Sequence, residues 1–182
     1  MRVALVVTVG ALCLAAPASS AAVDPSRLVL RASDVPTGFR LESSGVLTNA
    51  GESSRVPALA SLYRSTRRMT GYHAAFETAD GSRGPAIQSR SDVFRNAAGA
   101  HRYLVALDRE MRRAGIAGLT RTAPRIGSEG RVFAGAAVGS AYTLVFWRVG
   151  RAVGAVGGID VPKARTVALA RRQQLRMERA LG

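Results

Sequence analysis

Apolar and polar positions alternate along this chain with two different periods, and the switch between them divides it into elements. After Val23 a short apolar run, "RLVL", meets the turn-forming string "ASDVPTGF" from Ala32 to Phe39. Asp34 can close a turn with its carboxylate, Pro36 fixes φ, and Gly38 supplies a permissive backbone. The stretch therefore reads as a chain reversal, with Phe39 and Leu41 expected to bury beyond it. The spacing of Leu59, Leu62, Tyr63 and Met69 predicts a helix over roughly 53–71. Ser53 or Ser54 would cap it, Pro57 would lie in its first turn and Gly71 would stop it. Arg64, Arg67 and Arg68 then fall where the helix dipole favours cations.

"YHAAFETA" and "AIQSRSDVF" alternate with period two around the turn-rich "DGSRGP" and predict an antiparallel hairpin. Tyr72, Ala74, Phe76 and Thr78 share one face. Asn96 caps the next helix, in which Ala100, Leu104, Leu107 and Met111 form an apolar stripe ending near Gly115. "RIGSEGRVFAG", "AYTLVFWRV" and "AVGAVGGIDV" predict three more strands on short connections. Asp160 and Pro162 open a last helix running to Leu181. Along it Val167, Ala170, Met177 and Leu181 face one way, and Arg165, Arg172, Arg176 and Arg179 the other. The sum is an α+β domain: about five antiparallel strands with two long amphipathic helices packed on one face.

The first residues stand outside this pattern. Met1-Arg2 precedes sixteen uncharged residues, Val3 to Ala18, and then small ones. That order predicts a secretory signal peptide over 1–21, cleaved after Ala21, with Ala18 and Ser20 as alternatives. The apolar core is shorter than the roughly 20 residues a permanent span requires. The expectation is therefore a single secreted domain, 22–182, with no permanent membrane span. Cys13, the single cysteine, leaves with the leader. It lacks the spacing of a lipid-acceptor cysteine, since Leu12 stands beside it and Gly10 where a leucine is required.

Composition adds a strong charge: 26 basic residues against 12 acidic, with Lys163 the only lysine. A net charge of this size suggests an anionic partner, and anionic polymers of a cell envelope are the candidates. The arginines are dispersed, however, and read as a generally solvated surface. Nucleic acid is not an expected partner of an exported protein.

Catalytic chemistry finds little to work with. The two histidines, His73 and His101, lie on different elements. With no thiol in the mature chain they offer no metal site. No Gly-x-Ser-x-Gly elbow is present. Asp92, Asp108 and Glu129 lie among arginines and read as ion-pair partners. No catalytic, metal or cofactor-binding residue is assigned, and no cofactor is expected. A hydrolase would have to be sought at Ser140 with His73 and an acid such as Asp92. In the strand "AYTLVFWRV", Tyr142, Leu144 and Phe146 point one way while Thr143, Val145 and Trp147 point the other, so both faces carry apolar bulk. Tyr142, Leu144, Phe146 and Trp147 are the candidate lining of a ligand pocket beside the nearly side-chain-free "AVGAVGG". Close backbone packing against a helix is the alternative account of those glycines.

Four strings also resemble a group of actinobacterial-type secreted proteins and lipoproteins. "LRASDVPTGF", Leu30 to Phe39, is similar to their Leu-x-x-x-Asp-Leu-Pro-x-Gly-Phe segment. "DVFRNAAGA", "RIGSEGRVF" and "FWRVGR" resemble their strand-to-helix junction, a strand start and a hairpin. The resemblance implies a sensor-like extracytoplasmic α+β domain and supplies no catalytic residues. The acceptor cysteine and paired cysteines of many such proteins are missing here. Three functions follow: an exported, non-enzymatic binding or accessory domain of the cell envelope, a carrier of a small apolar or lipid ligand, and a hydrolase at Ser140.

Overall fold

The computed structural model describes residues 23–78, 84–113, 120–137 and 139–182. The leader, Cys13, most of "DGSRGP" and Gly115 lie outside the described residues. Two 3-10 turns, Pro25–Leu28 and Ala32–Asp34, begin the fold. Leu28, Val29 and Leu30 are buried between them. The Asp34 carboxylate accepts the Arg31 amide at 2.8 Å, and Gly38 sits at φ +93° with open space around it, so "ASDVPTGF" is a turn.

Seven strands follow: β1 (Phe39–Leu47), β2 (Arg68–Thr78), β3 (Ala86–Phe94), β4 (Thr120–Thr122), β5 (Glu129–Ala137), β6 (Ser140–Val149) and β7 (Ala152–Ile159). They form one antiparallel sheet in the order β1-β2-β3-β7-β6-β5-β4. The four helices are α1 (Asn49–Arg55), α2 (Ala58–Thr66), α3 (Ala97–Arg113) and α4 (Lys163–Leu181).

The architecture is α+β, but it differs from expectation at several points. The sheet has seven strands rather than five. β1 was missed because it is an edge strand exposed along most of its length, with Leu41 half exposed rather than buried. β4 has only three residues. The helix expected over 53–71 is two short helices. Thr48 caps the first by accepting the Gly51 amide, and Arg67 ends the second in a left-handed conformation at φ 55°. Gly71 is therefore a strand residue, not a stop.

The two long helices also lie on opposite faces rather than one. α4, through Leu169 and Met177, covers the face carrying Val145, Trp147 and Val156, together with the buried N-terminal segment. α2 and α3 cover the other, where Tyr63, Phe94, Tyr103, Leu104 and Val153 form a second core. The pleat forces this division, because neighbours along β6 and β7 point to opposite sides and both sets are apolar. Asn96 caps α3 by accepting the Gly99 amide at 2.9 Å. Asp160 does not cap α4. At φ 52° its carboxylate accepts the Ala141 amide at 2.9 Å, fastening the β6–β7 end.

On the α4 side, polar groups interlock inside the core. Ser89 Oγ accepts the Leu30 amide and donates to Gln173 Oε1 at 2.7 Å, while Gln173 Nε2 donates to the Arg90 carbonyl at 2.8 Å. Gln173 has no exposed surface. These bonds satisfy groups that would be costly to bury alone, and they fix α4 and the N-terminal segment against β3.

Candidate functional site

The α2/α3 side of the sheet has two parts of different character. One is an ionic cluster beneath α1 and α2. The Arg68 guanidinium is fully buried. It donates to Asp92 at 2.7 Å and to Asn49 at 2.6 Å, and lies 4.4 Å from the centre of the Tyr63 ring. Arg90 donates to both Asp92 oxygens and to Glu52. Tyr63 donates to Glu52 at 2.6 Å. The expectation of uniformly solvated arginines fails at this point, because Arg68 leads a strand into the core with an acid waiting opposite.

Burial alone would lower the Arg90 pKa, but Asp92 and Glu52 outweigh it, so the guanidinium stays charged. Burial, followed by the hydrogen bond to Glu52, raises Tyr63, and burial followed by Asp92 raises Tyr103. Both carboxylates of the cluster accept from guanidinium groups. The cluster fastens α1 and α2 to the sheet.

The second part lies on the same face, where among the described residues no helix lines the sheet. A groove of about 270 Å³ opens there, walled by Gln88 of β3, Gly157 and Ile159 of β7, and Ser140, Tyr142 and Leu144 of β6. Gly157 makes the depression: an added Cβ would lie 3.1 Å from Leu144 Cδ2 and 3.7 Å from Gln88 Cβ. The Tyr142 hydroxyl is buried and has no hydrogen-bond partner among the described residues. Such a group costs about 1–3 kcal/mol while unsatisfied.

The candidate pocket residues are thus divided. Tyr142 and Leu144 line the groove. Phe146 lies under α3, edge-on to Phe133 at 6.3 Å. Trp147 is fully buried on the opposite face beneath α4. Within "AVGAVGG" the two accounts of the glycines apply to different residues. Gly154 is pressed against Trp147 and Met177, and Gly158 against Thr166, whereas Gly157 opens the groove.

Ser140 and His73 do not meet. His73 aligns through Arg90 and Ala155 with Phe146, which puts Ser140 three strand spacings and six residues away, on the order of 25 Å. Asp92 is already taken by two arginines. Asp108 and Glu129 are ion-pair partners as expected, of Arg121 and Arg112 and of Arg148 and His101. Among the described residues no group of three or more His, Cys, Asp or Glu could hold a metal ion, and no helix is long and apolar enough to cross a membrane.

No family model and no curated protein matches the sequence. The fold is similar to the crystal structure of the extracellular domain of PknH from Mycobacterium tuberculosis. The TM-score is 0.56 at 8% identity, over 85% of this chain and 94% of that one.

Proposed function

We propose that this chain is an exported, non-enzymatic binding or accessory domain of the cell envelope, and that the groove beside Gly157 is its ligand site. The observation that carries the reading is a mainly apolar groove on the sheet face, walled among the described residues by strand residues alone. The leader-like first 21 residues and the fold shared with an extracellular domain support the location. At about 270 Å³ the groove lies at the small end for ligand pockets. It suits a short alkyl chain or a single ring with one hydrogen-bonding group.

The test is calorimetric titration of octanol and octanoate, paired with melting curves. Ligand at ten times its Kd stabilises the fold by about 1.4 kcal/mol, and apolar burial gives a negative heat-capacity change. Gly157→Val fills the groove and is expected to abolish binding while the protein stays folded. If neither probe shifts melting, or if Gly157→Val binds as well as the parent, the ligand reading fails.

A further inference from the structure

The opposite side of the molecule carries a different feature. Where the N-terminal segment lies along α4, two clefts of about 350 and 380 Å³ share Asp34 and Arg172 in their walls. Six guanidinium groups line them: Arg27 and Arg31 from the N-terminal segment, and Arg165, Arg172, Arg176 and Arg179 from α4. The four on α4 recur at helical spacing and span 14 residues, about 21 Å of helix.

The acids of the chain are distributed elsewhere. Glu52, Asp92, Asp108, Glu110 and Glu129 neutralise Arg68, Arg90, Arg112, Arg113, Arg121 and Arg148. Among the described residues the α4 clefts are lined by one carboxylate, Asp34, which accepts Arg176 at 2.7 Å while its carbonyl accepts Arg172 at 2.8 Å. Asp34 therefore holds two of the guanidinium groups in place without neutralising the set. Asp24 accepts the amide and hydroxyl of Ser26, and Glu178 is engaged by Gln174 at 2.7 Å. Arg172 and Arg176, at i and i+4, and Arg176 and Arg179, at i and i+3, are like-charged neighbours, a mildly destabilising arrangement on a helix. Leu175, half exposed, lies between them on the wall.

We infer that this groove binds a linear phosphate-bearing polyanion. A planar guanidinium engages phosphate oxygens through two parallel hydrogen bonds. An extended row in a concave channel matches a chain of phosphates better than a single ion. The inference is independent of the apolar groove on the other face.

The probe is inorganic polyphosphate, with inorganic phosphate and vesicles of anionic phospholipid as comparisons, titrated at several salt concentrations. Counterion release gives a slope of about −0.7 per phosphate neutralised for a single chain. Six contacts thus predict a log–log salt slope near −4. R165Q/R179Q removes two guanidinium groups with no other bonding role and is expected to lower affinity at least tenfold and the slope by about 1.4. R109Q/R113Q, the same charge change on α3, is expected to shift affinity less than threefold. Circular dichroism and melting confirm that both variants are folded. Equal losses in the two variants, equal affinity for phosphate and polyphosphate, or binding to vesicles alone would each overturn the inference. So would the absence of polyphosphate binding at 0.15 M salt.

Discussion

Replacing Gly154 with alanine inserts one methyl group between α4 and the sheet. The new Cβ would lie 2.6 Å from Trp147 Cε2, closer still to Cζ2, and 2.7 Å from Met177 Sδ. Carbon contacts are most favourable at about 3.5–4.0 Å, so roughly 1 Å of overlap must be relieved. The indole is rigid and fully buried, and its other side is occupied, since a Cβ on Gly127 would already lie 3.1 Å from Trp147 Cδ1. Only the Met177 side chain can move freely. Overpacking of this kind costs about 1–3 kcal/mol, and loss of glycine's backbone freedom in the unfolded state returns about 0.5–1 kcal/mol. A net destabilisation of about 1 kcal/mol is expected.

Gly157→Ala is the matched control, three residues along the same strand. Its Cβ meets the flexible tip of Leu144 beside an open groove, so the entropic gain dominates and stability is unchanged or slightly higher. Urea unfolding at 25 °C separates the two. With m of about 1–3 kcal/mol/M, their midpoints should differ by about 0.5 M. Coincident midpoints would refute the assignment of Gly154 to a packed face and Gly157 to an open one.

Arg68→Met removes the charge-assisted hydrogen bond to Asp92 and leaves Arg90 on that carboxylate, so a loss of about 1.5–3 kcal/mol is expected, read by urea unfolding. Tyr142→Phe deletes a buried hydroxyl with no partner among the described residues, so it should hold or raise the melting temperature. Burial alone would raise the Asp108 and Glu129 carboxyls, but hydrogen bonds from Arg121 and Arg112, and from Arg148 and His101, outweigh it and hold both below their ordinary values. Their stabilisation is accordingly complete above about pH 4.5 and is lost as pH falls through the depressed values. Urea midpoints for Asp108→Asn should fall less between pH 5 and 3 than those of the parent. Asn96→Ala removes the α3 cap and should cost about 1 kcal/mol, read as a lower melting temperature.

The sequence made α3 legible because cap, period and apolar stripe agree over 17 residues. The two glycine-bounded strands β6 and β7 were equally clear. β1 was not, since an edge strand bearing Glu42, Ser43, Ser44 and Gly45 has no buried face to impose alternation. A helix's periodicity reports that it has an apolar face, not which side of a sheet that face meets. The apolar residues on both sides of β6 were the available sign that each side has its own cover. Arg68 looked like a cation at a helix end because its partner Asp92 is 24 residues away and is delivered only by strand pairing. The Tyr142–Leu144 wall was visible as alternation, whereas the separation of Phe146 and Trp147 from it depends on where α3 and α4 stop. The arginine stripe of α4 could be read from spacing, but its second wall, Arg27 and Arg31, comes from the opposite end of the chain.

The sheet order places β3 against β7, a pairing that joins residues about 60–70 positions apart, such as Ser89 and Val156, and the strands on either side of that seam follow one another in chain order. Among the strand pairings, closing the seam carries the largest loop entropy. Each meander can form early at little cost, but neither core is complete until the two halves dock. Folding speed should therefore be governed by this junction, and a chain interrupted between α3 and β4 would yield two partners able to find each other again.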